Sequence, residues 1–222
     1  MARKTKEEAL ATRDGILDAA EACFQELGVA STTLEKIGAR AGFTRGAVYW
    51  HFKNKAEVLA AVMQRCRVPF MQKLELASSA SRETPVEDLR AVMYTAWRDL
   101  EENPRLRGLL GIMLRNDLSN ESQLLRQTHD DGIQDSLALM AHVFQRAATL
   151  GQLRPGIAPE QAARLLHITL TGVLYTGVFH PGSIVLTRDG LAALDASLAA
   201  LVTADSFTPG QLPPLCQGPA VC

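Results

Sequence analysis

Apolar residues in this chain recur at three- and four-residue intervals almost from end to end. Ile16, Ala20, Cys23, Phe24 and Leu27 line one side of a first helix, with Gly28 as its stop. Thr32 and Glu35 form a capping box that opens a short helix burying Leu34, Ile37 and Ala41, and Gly42 ends it. Thr44 caps a third helix reaching about Phe52. Asn54 opens a longer one carrying Val58, Leu59, Val62, Met63 and Cys66, which Pro69 is expected to kink.

The second half repeats these signals on a larger scale. Thr84, Pro85 and Glu87 combine an N-cap, proline at the first helical position and the capping-box acid. Leu89, Val92, Met93, Ala96, Trp97 and Leu100 then keep one face until Asn103-Pro104. Leu106, Leu109, Leu110, Met113 and Leu114 make a short amphipathic helix, and residues 121–150 a long one. Pro159 starts another that reaches Phe179, and Thr187 caps a last helix through Val202. No segment alternates with period two over a useful length. The pattern predicts an all-α protein of about nine helices. Four of the ten prolines fall after residue 203, which predicts a disordered tail over 204–222.

Composition narrows the class without naming it. The 222 residues suffice for a sizeable core, and 47% hydrophobic with 21% charged is ordinary for a globular chain. Net charge is −1, yet residues 1–55 carry +2, and Lys36 to Lys55 hold five cations and no acid. Positive charge confined to one place suits a polyanion bound in one place. The four cysteines lack any metal or disulfide spacing, so Cys23 and Cys66 read as reduced core residues of a cytoplasmic protein. Leu165 to Thr187 contains no charge, but His180-Pro181-Gly182 interrupts it and its threonines make it polar. Its helical part reads as too short and too polar for a membrane span, and as a buried helix instead.

The segment TRGAVYWHFKNK, residues 44–55, now has a place. Helix 33–41, the turn at Gly42-Phe43 and helix 44–52 form a helix-turn-helix within the motif span 32–51. Val48, Phe52 and Phe43 pack back on Leu34 and Ile37, leaving Arg45, Gly46, Tyr49 and Trp50 outward. Small residues Gly46 and Ala47 let the helix approach a groove while Arg45 reaches guanine O6 and N7. Thr33, Tyr49, His51 and Lys55 are placed to donate to phosphates.

Residues 32–59, TTLEKIGARAGFTRGAVYWHFKNKAEVL, resemble the DNA-binding motif of the TetR/AcrR family of bacterial repressors, in its multidrug-efflux branch. The likeness extends upstream through the first helix. It implies a three-helix DNA-binding domain at about 1–55, a ligand-binding and dimerisation domain over 56–203, and a palindromic double-stranded operator. It carries DNA contact to Thr33, Thr44, Arg45, Gly46, Ala47, Tyr49, His51 and Lys55. A hydrophobic small molecule is the implied effector, and no cofactor or metal is implied.

Two further constellations are read from the helical faces. Met93, Ala96 and Trp97, then Leu110, Met113 and Leu114, then Ile133, Leu137 and Met140 offer a methionine-rich apolar lining for the effector, with Arg67, Asn116 and His167 at its edge. Core packing explains the same pattern. Thr169, Gly172 and Thr176, with Leu191, Leu194, Leu198 and Leu201, suggest a four-helix homodimer interface, or packing within one chain.

Enzymatic readings are weaker. No two of His129, His142, His167 and His180 are spaced as a helical ligand pair, and no nucleophile motif occurs. A constitutive architectural DNA binder stays open, but it would have no use for the long helical region after residue 55.

Overall fold

The structure is a computed structural model and describes residues 6–79, 83–116 and 123–213. Among them run nine α-helices: α1 (Lys6–Ser31), α2 (Leu34–Ala41), α3 (Arg45–His51), α4 (Lys55–Ser79), α5 (Pro85–Glu102), α6 (Pro104–Asn116), α7 (Gln123–Thr149), α8 (Pro159–Phe179) and α9 (Leu191–Leu201). No strand occurs among the described residues. The all-α class is as the periodicity predicts.

Two compact units divide the chain: Met1–Arg67 with Gly108–Asp130, and Val68–Arg107 with Asp131–Cys222. Helices α4, α6 and α7 each contribute to both units, and local composition gives no sign of that. Helix α4 continues through Pro69, which is exposed.

The first unit is built on α1. Ile16, Leu17, Ala20, Cys23 and Phe24 are buried with Leu34, Ile37, Val48, Val58, Leu59, Val62 and Leu109 in one core. Leu27 departs from the expected stripe and is exposed. Gly28 breaks the helix as predicted, at φ 76°, but another turn follows to Ser31. Thr33, not Thr32, caps α2, its hydroxyl accepting from the Lys36 N–H. The Thr32 hydroxyl instead donates to Gly28 O (2.7 Å) and Cys23 O (3.2 Å), closing the end of α1. Cys23 is buried and both Cys23 and Cys66 are free thiols. Burial first, then the charge of Glu21, pushes the Cys66 thiol up to about 11, which keeps it protonated at neutral pH.

In the second unit α8 and α9 pack together and on α5 through a π-helical turn at Leu186–Gly190. Thr187 does not cap α9: its hydroxyl donates to Glu101 Oε2 (2.6 Å), and Glu101 Oε1 also receives the Leu186 N–H. Nor does Thr84 make a side-chain cap, and Glu87 turns to Arg90 at 3.1 Å. The close fit under α8 requires Gly177, where a Cβ would lie 2.5 Å from Leu186 Cδ2.

Arg90 has 0% exposure and gathers this unit. Its guanidinium donates to Asp195 Oδ1 (2.6 Å) and Oδ2 (3.0 Å), to Glu87 (3.1 Å) and to Gln211 O, and lies 5.7 Å from the Phe207 ring centroid. The expected disordered tail is thereby corrected over 204–213. A 3₁₀ turn at Ala204–Ser206, buried Phe207 and the Gly210 N–H on Asp195 (2.8 Å) pack it down. Residues 214–222 lie outside the described set.

Helix α8 also corrects the expectation that it is too short to span a bilayer. At 21 residues, with a window of mean hydropathy 1.3, it is long and apolar enough by length and composition alone. The buried helix expected there is only partly so: Ala162, Ala163, Leu166 and Leu170 are buried, and a second apolar face stays exposed.

Without Asp195 the fully buried Arg90 keeps only the half-buried Glu87 as counter-charge, and the Gly210 N–H loses its acceptor. Asp195→Ala should accordingly cost about 3 kcal/mol. A urea denaturation series would read this as a lowered midpoint with an unchanged slope.

Candidate nucleic-acid interface

Helix α3 is seven residues long, too short to be stable by itself, and its surroundings hold it at both ends. The Thr44 hydroxyl accepts from the Ala47 N–H (3.2 Å), and the Phe52 N–H closes the helix on Val48 O (2.9 Å). Gly42, at φ 70°, makes the left-handed turn after α2, with its neighbour's Phe43 N–H bonded to Gly38 O (3.0 Å). Val48 is fully buried, and a Cβ on Gly38 would stand only 3.0 Å from its Cγ2. Phe52 is buried too, and the Arg13 guanidinium lies 5.3 Å from its ring centroid.

With that side packed, the opposite side projects outward as predicted. Arg45, Gly46, Tyr49 and Trp50 are exposed, Trp50 to 73%. Thr33 and Thr44 are exposed at the helix starts, while Ala47 and His51 are half-buried, with the His51 ring edge-on to Trp50 at 4.5 Å.

The cations are less free than the acid-free run 36–55 implies. Arg40 forms a two-bond pair with Glu26 (2.5 and 2.7 Å), an acid of α1 that sequence proximity does not reveal. Lys36 donates to Ser31 O (2.8 Å), and Lys55 donates to Val29 O (2.6 Å) and Ala30 O (3.1 Å). Two ammonium groups thus sit on the last carbonyls of α1, where helix-end charge favours them. Lys55 is half-buried in this role, with one of its three donors left over.

Arg45 has a partner that local sequence rules miss. Its Nε lies 3.5 Å from Glu35 Oε1, its guanidinium 5.2 Å from the Tyr49 ring centroid, and the Tyr49 hydroxyl donates to the same carboxylate oxygen at 3.4 Å. Glu35 belongs to the neighbouring helix, so no i,i+4 rule would pair it with Arg45.

Comparison with known proteins fits this geometry. Residues 16–62, spanning α1 through the start of α4, match the description "Bacterial regulatory proteins, tetR family". The HTH-type transcriptional regulator TtgR of Pseudomonas putida is 30% identical over 89% of this chain and 95% of its own length. The chain belongs to the tetR family. SmeT, the repressor of the Stenotrophomonas maltophilia multidrug efflux pump SmeDEF, is 54% identical over 93% of this chain and 98% of its own, with a TM-score of 0.84. A SmeT–triclosan complex gives 55% identity, coverage of 92% and 98%, and a TM-score of 0.87.

Other candidate residues of this tetR-family chain fall in several settings. In the second unit Met93, Trp97 and Met140 are buried, Trp97 packing under the π-helical turn, where a Cβ on Gly190 would meet its ring at 3.3 Å. Ala96, Ile133, Leu137 and His167 of that unit are half-buried. Arg67, Leu110, Met113 and Leu114 belong to the first unit, with Met113 against its core. Asn116 ends α6, and its side chain lies outside the described residues.

The expected interface residues divide as well. Leu191, Leu194, Leu198 and Leu201 are all buried within their own chain, which corrects their assignment to an interface. The outward positions of α9 are instead Ala192, Ala196, Ala199 and Ala200. Leucine spacing alone cannot say which neighbour covers it. On α8 the Thr169 hydroxyl lies 2.9 Å from Ser197 Oγ of α9, and Thr176 bonds back to Gly172 O (2.8 Å). Gly172 faces open space, on one exposed stripe with Leu165, Ile168 and Tyr175.

Orientation of α3 rests on the missing side chain at residue 38. Gly38→Ala would press a methyl onto Val48 Cγ2 and, at 3.3 Å, onto Phe43 O. The expected cost is about 1–3 kcal/mol of stability, read as a lowered thermal midpoint.

Proposed function

We propose that this chain is a dimeric, ligand-responsive repressor of a multidrug efflux operon, acting in the cytoplasm on a palindromic operator. The observation that carries the proposal is α3. One side of it is locked by Val48 and Phe52, while Arg45, Tyr49 and Trp50 stand outward beside the small residues Gly46 and Ala47. A helix presented in this way fits the major groove, Arg45 reading guanine while Thr33, Thr44, Tyr49, His51 and the spare donor of Lys55 meet phosphates. The efflux assignment is supported by the likeness to SmeT, described as an efflux-pump repressor.

The homodimer is supported by the exposed stripe Leu165, Ile168, Gly172 and Tyr175 of α8 beside the outward alanines of α9. Small residues on one helix and larger apolar ones on its neighbour suit close packing on a second copy. A two-fold pair would set two α3 helices on successive half-sites. The effector reading is supported by the SmeT–triclosan complex and, in this chain, by the half-buried residues Ala96, Ile133, Leu137 and His167. Effector binding releases DNA only by favouring the DNA-incompetent state, and a 100-fold preference corresponds to about 2.7 kcal/mol of coupling.

The test uses a duplex enriched from a randomised library by the wild-type protein, and a scrambled duplex of equal length. Arg45→Ala should lose about 1–3 kcal/mol of discrimination between them. Lys55→Ala should weaken both alike and flatten the salt dependence. Triclosan should release the enriched duplex from the wild type. Equal loss on both duplexes for Arg45→Ala would sink the role of α3.

Assembly is tested separately. Gly172→Arg puts a long cation on the open stripe of α8, where a Cβ meets nothing within 4 Å. Light scattering should find monomers, with a thermal midpoint like that of the wild type at high dilution.

A further inference from the structure

We infer that Glu35 is a specificity-determining residue, one that positions Arg45 in the DNA-free protein and suppresses binding to sequences that offer Arg45 no guanine. The inference rests on the reading of α3 as the DNA-facing helix.

A carboxylate on a surface meant for DNA needs a reason. Duplex DNA carries about one negative charge per 1.7 Å of axis, so an acid there opposes binding to every sequence. Glu35 is such an acid, with its side chain 50% exposed and that of Arg45 71%. It is also ionised at neutral pH. Hydrogen bonds from its own backbone N–H and from the Thr33 hydroxyl hold its carboxyl below the usual carboxylate range, and the charge of Arg45 and the Tyr49 hydroxyl add to this.

The geometry gives the acid its use. Glu35 Oε1 lies 3.5 Å from Arg45 Nε and accepts from the Tyr49 hydroxyl at 3.4 Å, while the Arg45 guanidinium stands 5.2 Å from the Tyr49 ring centroid. A side chain that would otherwise sample many rotamers is thereby biased towards one region over the outer face of α3. That preorganisation lowers the ordering cost of the final contact.

Consequences differ between DNA sequences. At an operator, guanine O6 and N7 replace Glu35 as partners of the guanidinium, and the exposed pair given up is a weak one. The small cost of breaking it is offset by the preorganisation it supplied. On other DNA no base edge claims Arg45. The pair persists, Arg45 is withheld from the phosphates, and the carboxylate faces the backbone. Glu35 therefore lowers non-specific affinity more than operator affinity.

The experiment compares wild type, Glu35→Gln and Glu35→Asp, all full length, on the enriched and scrambled duplexes across a salt series. Glu35→Gln should raise affinity for scrambled DNA about two- to fivefold, the range an exposed ion pair supports. Its salt slope there should steepen by about one as Arg45 takes a phosphate. Affinity for the enriched duplex should change by less than about twofold. Glu35→Asp, which keeps the charge, should retain the wild-type ratio, an outcome that a merely structural role for the side chain would not give. The inference is overturned if Glu35→Gln shifts both duplexes equally, or if Glu35→Asp loses the ratio as Gln does. A wild-type protein that enriches no sequence would instead overturn the reading of α3, whatever Glu35 does.

Discussion

The contact between Val48 and the bare backbone of Gly38 sets the geometry of the proposed DNA-reading surface. Helix α3 has no stability of its own at seven residues, so its orientation is whatever its buried side dictates. That side is essentially one valine and one phenylalanine. A Cβ at 38 would stand 3.0 Å from Val48 Cγ2 and 3.3 Å from Phe43 O, so the buried side of α3 must give by a few tenths of an ångström to accept it. The aim of Arg45 is thus decided on the far side of the helix by van der Waals contact, which is short-ranged and tolerates little change in volume.

Charged groups, by contrast, act in this chain largely as fasteners. Lys36 and Lys55 hold the last carbonyls of α1, Arg40 ties α2 to α1 through Glu26, and Arg90 draws α5, α9 and the segment after α9 together. Their energetic weight differs. The exposed pair of Arg40 is screened by water and salt, while the fully buried Arg90 must have its partners or suffer the desolvation of a bare charge. Sign and number of charges along a segment therefore say less about a partner than their burial does.

Much of this is legible in the sequence. Caps, stops and 3.6-residue periodicity place the helices, with Pro159 and Phe179 bounding α8 as its pattern suggests, and the turn residues Gly42 and Thr44 place the helix-turn-helix. What stays hidden depends on neighbours distant in sequence. Thr32 and Thr33 are chemically equivalent, and only the kink at Gly28 decides which one caps α2. Thr187 looks like a cap until Glu101 arrives from α5 to take its hydroxyl. The leucines of α9 announce burial without saying against what, and the proline-rich tail conceals one phenylalanine and one carbonyl that an arginine can hold. Glu35 reads as a cap residue, because its relation to Arg45 exists only once two helices cross.

The arrangement of α9 has a consequence for how such a protein diverges after gene duplication. Its leucines face inward and its alanines outward. Changes at Ala192, Ala196 or Ala199 alter only what a second molecule would meet, leaving the packing of the chain's own core untouched. If the proposed dimer is built on this face, two duplicated copies stop recognising one another by acquiring a few bulky residues at these positions, each copy still folding as before. Insulation between paralogues is then available through single substitutions that leave fold stability nearly unchanged, as it would not be if the leucines themselves formed the contact.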